Sequence, residues 1–188
     1  MSKKALLHGG FRGLGAPAWE SYFLDLSKAF THSHITIVLV PWANSPKQWQ
    51  NIANKLAERC AKYWPSKTVT IHTAEDTQQL EAYAQDADML YCPGGIFLQN
   101  VIAPMQLAKP ALLSSSIKVF TGFSAGAYAL ATTYYDAKKK QAIHGGGLFK
   151  VGVCCHYNEQ RAIAGELLSV DEQSPHLLAD GDFVWLKL

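Results

Sequence analysis

The sequence predicts an α/β fold, a mostly parallel sheet with helices on both faces, in one domain spanning residues 1–188. Three observations carry this reading. Short apolar runs rich in β-branched residues alternate with stretches of helical periodicity, the pattern of successive strand–helix units. The composition is globular, with 48% apolar and 17% charged residues in 188, enough for one sizeable core. Glycine-rich clusters follow several predicted strands, where sheets of this kind gather their ligands.

Lys4 to Leu7 reads as the first strand, ended by His8-Gly9-Gly10. Pro17 to Phe30 is helical, because Trp19, Tyr22, Phe23, Leu26 and Phe30 recur at three- and four-residue steps. Ile35 to Val40 is a β-branched run and hence a buried strand. Ser45-Pro46 supplies an N-cap and a first-turn proline for a helix reaching about Tyr63. Thr68 to Ile71 is a third strand, and Asp76 to Gln85 a helix with Leu80 and Tyr83 facing inward. Asp88 to Tyr91 is a fourth strand, ended by Pro93-Gly94-Gly95, with Ile96 to Ala108 helical after it. Ile117 to Thr121, the fifth strand, runs into Gly122-Phe123-Ser124-Ala125-Gly126 and a helix of small residues. Val151 to Cys154 is a further strand, Asn158 to Leu168 a helix, and Leu177 to Leu188 a strand pair around Asp180-Gly181. The three clusters at His8, Pro93 and Gly122 should line one crevice.

Composition also excludes. The net charge is +2, the basic residues are scattered, and Lys138 to Lys140 reads as a solvated turn, so no electrostatic footprint for nucleic acid is present. No stretch approaches the ~18 consecutive apolar residues of a membrane span. The opening residues have only a brief apolar run before glycines and read as a buried strand, not a signal peptide. Cys60, Cys92, Cys154 and Cys155 show no C-x-x-C spacing, so reduced thiols in a cytoplasm are expected. The vicinal pair lies in an apolar strand and reads as packing rather than as a metal site.

Gly122-Phe123-Ser124-Ala125-Gly126 fits the nucleophile elbow G-x-S-x-G between a strand and a helix. A serine at the tip of such a turn is pushed clear of the backbone, and the flanking glycines let neighbouring elements approach. The nucleophile needs a base, and seven histidines are available. His32 and His34 lie in a polar segment, and His72 ends a distant strand. His156 follows the apolar run Val151 to Cys155, and His144, before three glycines, competes with it. The base needs a carboxylate, with Asp136, Glu159, Glu166, Asp171, Asp180 and Asp182 as candidates. Asp180 sits in an Asp-Gly turn between apolar runs, which is also ordinary hairpin chemistry. Pro93-Gly94-Gly95 offers exposed amides that, with that of Ala125, can form an oxyanion hole, or serves only as a turn.

Together, Tyr91-Cys92-Pro93-Gly94-Gly95-Ile96-Phe97, Gly122 to Ala127 and Cys155-His156-Tyr157-Asn158 resemble the dipeptidase E family of serine peptidases, which includes cyanophycinase-like enzymes. The resemblance runs from the first strand to Trp185. It implies a class I glutamine amidotransferase-like fold, a flavodoxin-like three-layer sandwich. It implies Ser124 as nucleophile, His156 as base, Asp180 as third member, and oxyanion donors at Gly94, Gly95 and Ala125. It implies no metal or organic cofactor. Asn158 stands where the aspartyl dipeptidase has its substrate-binding arginine, and Arg161, a helical turn on, is the cation that can substitute. The usual asparagine after P-G-G is Ile96 here. The chain ends soon after Asp180, short of part of the family's carboxyl-terminal sheet, which opens the site or calls for a partner subunit, as in a homodimer.

The expected function is therefore a serine hydrolase, a peptidase acting on a small peptide or amide. The alternatives are a non-catalytic binding module on the same fold and a cysteine nucleophile, although no cysteine occupies the elbow.

Overall fold

The computed structural model describes residues 3–158 and 175–187. Its elements run β1 (Lys4–His8), α1 (Ala16–Ser27), β2 (His34–Leu39), α2 (Pro46–Tyr63), β3 (Thr68–Thr73), α3 (Thr77–Ala84) and β4 (Met89–Cys92). They continue with α4 (Gln99–Ser114), β5 (Val119–Phe123), α5 (Ala125–Leu130), β6 (Ala131–Asp136), β7 (Gln141–His144), β8 (Phe149–Cys155), β9 (His176–Leu178) and β10 (Phe183–Lys187).

Six strands form the main sheet in the order β10-β1-β5-β4-β2-β3. All its pairings are parallel except that of β10 with β1. Alternation along each strand sends side chains to two separate cores. Leu6, Ile35, Ile37, Leu39, Met89, Tyr91 and Phe123 pack with Tyr22, Phe23 and Leu26 of α1 and Leu56 and Cys60 of α2. Ala5, Leu7, Val38, Leu90, Cys92 and Phe120 face Leu80 and Ala84 of α3 and Val101, Met105, Ala108 and Leu112 of α4. Helices therefore cover both faces of the sheet.

Three features depart from the sequence reading. The strands after α5 form a second sheet, in the order β7-β6-β8-β9. Its Phe149, Val151, Val153 and Cys155 join the core on the α3–α4 side. Strands β6 and β7 were not separated by the sequence, because the small-residue helix passes into β6 at Ala131 without a glycine or proline. Second, β9 and β10 are not a hairpin pair. The turn at Asp180-Gly181 carries the chain from the small sheet, where β9 pairs with β8, to the large one, where β10 pairs with β1. Third, α4 continues past Ala108 to Ser114 through Pro104 and Pro110. Its apolar face, Val101 through Leu112, is fully seated in the core and outweighs the lost backbone bonds. The helix expected over 158–168 lies outside the described residues apart from its first residue, Asn158.

Candidate active site

Strand β5 ends at Phe123 and α5 begins at Ala125, so Ser124 alone makes the turn, with φ 48° and ψ −109°. That conformation is rare for a residue with a side chain. It persists because the surroundings leave no alternative: Ser124 N–H donates to the His8 carbonyl at 3.0 Å, and Tyr128 N–H returns to the Ser124 carbonyl at 3.0 Å. Glycine is required on either side. A Cβ on Gly126 would stand 2.0 Å from the Cys92 carbonyl oxygen, and one on Gly122 would stand 2.5 Å from Gly126.

His156 follows β8 with φ 53°, a second left-handed position. Its Nε2 lies 2.8 Å from Ser124 Oγ, and its Nδ1 lies 2.8 Å from Asp180 Oδ1. With Asp180 ionised, Nδ1 carries the proton that faces it, and Nε2 is left to accept from the serine hydroxyl. The Arg12 N–H also donates to Asp180 Oδ1, at 3.0 Å. The imidazole and the carboxylate are both partly buried, at 28% and 25% side-chain exposure, so the chain of groups is reachable from solvent.

The other candidates lie elsewhere. His144 ends the exposed edge strand β7. Asp136 accepts from the Lys138 and Lys139 amides in the β6–β7 turn, and Asp182 accepts from the Ala179 amide in the turn after β9. His32 pairs with Asp88. Glu159, Arg161, Glu166 and Asp171 lie outside the described residues, and Asn158 is exposed. All four cysteines are buried. Burial pushes the Cys60 thiol up to about 12 and that of Cys92 higher still, the opposite of an activated nucleophile.

A cleft of about 410 Å³ opens in front of Ser124 and His156. The three glycine-bearing clusters meet in it, through Gly10, Pro93-Gly94-Gly95 and Phe123-Ser124. Asn44 secures the second of these, donating through Nδ2 to the Gly94 carbonyl at 2.8 Å. A Cβ on Gly94 would lie 3.5 Å from that of Ser124. The amides of Gly94 and Gly95 donate to no other group among the described residues.

A family model for peptidase family S51 matches residues 6–187. The chain belongs to peptidase family S51. It is thereby a serine-type peptidase. Two solved structures share the fold. One is a protein from Listeria monocytogenes EGD-e described provisionally as a peptidase E, with TM-score 0.66 and 14% identity over 100% of this chain and 95% of that one. The other is a peptidase from an acI-B1 Actinobacterium, with TM-score 0.60 and 17% identity over 87% of this chain and 75% of that one. No curated protein matches the chain in sequence.

This S51 chain carries two cleft residues that the sequence did not single out. Lys55 and Arg59 of α2 line the cleft, and no acidic side chain accompanies them among the lining residues. The Arg59 guanidinium lies 3.5 Å over the Trp19 ring, which stacks on Phe11 at 3.5 Å. Their i,i+4 spacing places both on one helix face, a readable signal, but nothing local says that this face meets the cleft.

Proposed function

We propose that this peptidase hydrolyses short peptides or small amides, with Ser124 as nucleophile, His156 as general base and Asp180 as the group that orients and stabilises the imidazolium. The unbroken hydrogen-bond chain at the cleft wall, 2.8 Å at each step, is the observation that carries the reading. As Ser124 Oγ attacks the carbonyl carbon, its proton passes to His156 Nε2. The same proton is then given to the leaving amine as the C–N bond breaks, leaving an acyl-enzyme. Water, deprotonated by His156, releases the acid and restores the serine. The amides of Gly94, Gly95 and Ala125 are the donors for the oxyanion, in line with the proximity of Gly94 to Ser124 and its uncommitted N–H.

The cleft walls point to the substrate. Phe11, Trp19, Tyr91 and Phe123 offer aromatic surface, and Lys55 and Arg59 offer positive charge. A peptide carrying a carboxylate near an apolar group fits that chemistry. Four buried cysteines, none in C-x-x-C spacing, support a reducing, cytoplasmic setting.

The test is a dipeptide library screened with the wild type and with Ser124→Ala. The variant is expected to fold normally and lose turnover by about 10⁴-fold or more. Full turnover in Ser124→Ala would overturn the assignment.

A further inference from the structure

One short segment, from His8 at the end of β1 to Arg12, holds every member of the hydrogen-bond chain. The His8 carbonyl accepts from Ser124 N–H at 3.0 Å, and the Gly9 carbonyl accepts from His156 N–H at 3.2 Å. The Gly10 carbonyl accepts from Gly181 N–H at 2.9 Å, next to Asp180, whose own Oδ1 receives the Arg12 amide at 3.0 Å. The segment passes so close that only glycine fits. A Cβ on Gly10 would stand 2.3 Å from His156 Cε1 and 2.6 Å from Asp180 Oδ1, and one on Gly9 would stand 2.1 Å from the Ala179 carbonyl.

Two consecutive glycines are conformationally free unless something fixes them. Here backbone bonds hold both carbonyls and the Gly9 N–H, which donates to the Asp182 carbonyl at 2.9 Å, and the His8 imidazole holds the remaining Gly10 N–H, its Nδ1 accepting at 2.9 Å. The ring is fully buried and stacked on Phe11 at 3.9 Å, with Phe123 and Tyr22 beside it. Burial keeps it neutral, with its pKa pushed down to about 4. Because Nδ1 accepts, Nε2 bears the hydrogen, and that buried N–H has no hydrogen-bond partner among the described residues. An unpaired buried donor destabilises, so an apolar ring would suit the packing better. The histidine makes sense through the acceptor that it supplies.

We propose that His8 is a positioning residue for hydrolysis: its Nδ1 pins the Gly9-Gly10 turn in the conformation that aligns Ser124, His156 and Asp180. The proposal rests on the catalytic reading of those three residues. His8 touches no substrate and transfers no proton.

Two variants separate this role from plain packing. His8→Phe keeps the stacked ring and removes the acceptor, whereas His8→Asn loses the ring and keeps an acceptor near the same place. Positioning predicts that His8→Phe folds with a melting temperature near or above that of the wild type. Its kcat is expected to fall about 100-fold, with KM within about threefold, as expected when catalytic groups move by about 1 Å. His8→Asn, although less stable, should recover at least about tenfold of that loss. Crystal structures of both variants supply a readout independent of turnover. The Ser124 Oγ to His156 Nε2 distance should open beyond hydrogen-bond range in His8→Phe and stay near 2.8 Å in His8→Asn. Wild-type kcat and geometry in His8→Phe, or an Asn variant as impaired as the Phe variant with its turn displaced, would overturn the proposal. Persistent turnover in Ser124→Ala would instead remove the catalytic reading and leave the two crystal structures to decide what His8 holds in place.

Discussion

The backbone of Ser124 can be interrogated without knowing the substrate. At φ 48° and ψ −109° it occupies a region that only glycine visits freely. Holding a side-chain-bearing residue there costs about 1–3 kcal/mol. Ser124→Ala and Ser124→Gly both delete the hydroxyl and its bond to His156, so that loss cancels in the comparison. The alanine variant keeps the strain. The glycine variant releases it, but gains unfolded-chain entropy that offsets about 0.4–1 kcal/mol. The difference leaves Ser124→Gly more stable than Ser124→Ala by about 1 kcal/mol. In a chain of this length that corresponds to a melting temperature higher by about 2–4 °C. Urea denaturation and thermal melts of the two variants, run in parallel, check the sign. An alanine variant as stable as the glycine variant, or more so, would mean that the turn carries no strain at Ser124.

Three other perturbations have definite outcomes. Because burial holds the folded-state pKa of His8 near 4, partly opposed by Asp180 and reinforced by His156, the unfolded chain takes up a proton there first as pH falls. Its contribution to stability is complete above about pH 6.5 and lost by about pH 4, roughly 3 kcal/mol over the window, so urea unfolding at pH 7 and 4.5 should show a smaller drop for His8→Phe than for the wild type. Arg59→Glu should lower kcat/KM for a carboxylate-bearing peptide, relative to its carboxamide counterpart, by at least about tenfold, as paired-substrate kinetics would show. Gly126→Ala forces backbone apart at Cys92 and should destabilise by about 3 kcal/mol or more, read as a lowered melting temperature in the absence of ligand.

What could be read from the sequence follows from how local each signal is. The alternation of β1 to β5 with α1 to α4 was legible because β1, β2, β4 and β5 are largely apolar runs buried on both faces, and the half-exposed edge strand β3 is rich in β-branched residues. Ser124 stood out because the steric demands on Gly122 and Gly126 are local. The order β10-β1-β5-β4-β2-β3 was not legible, and neither was the fate of Asp180-Gly181. An Asp-Gly pair between apolar runs reads as a hairpin, yet β10 finds its partner at the opposite end of the chain, where Lys4 sits opposite Lys187. The switch from α5 to β6 lacks a local boundary because alanines serve either element, although the Thr132-Thr133-Tyr134-Tyr135 run that follows is itself strand-favouring and pairs with β7 and β8. His144 ends β7 and His156 follows β8, and the tertiary placement of β8 beside the elbow tells them apart. Lys55 and Arg59 look like ordinary solvated helix residues until the aromatic wall of the cleft is built beneath them.

The second sheet changes what the site depends on. Ser124 belongs to the main sheet, at the end of β5. His156 belongs to the small sheet, at the end of β8. Asp180 lies on the strand-to-strand passage between the two. No one sheet contains the hydrogen-bond chain, so its two 2.8 Å contacts exist only while the sheets are docked. Docking is secured by a shared core, in which Phe120 of the main sheet meets Phe149 of the small one at 5.6 Å between ring centroids. It is also secured at the edge of the site by the Gly9 carbonyl, which accepts from His156 N–H, and by the Gly10 carbonyl, which accepts from Gly181 N–H in the passage between the sheets. Ser124 and His156 each turn their side chains toward this seam by adopting positive φ, a strain that neither local sequence would sustain alone. The burial of Phe120, Phe149, Val151 and Val153 offsets it. The reactive geometry is therefore a property of the docked pair of sheets, and the glycine-rich turn after β1 is the place where main-chain bonds from both arrive on consecutive residues.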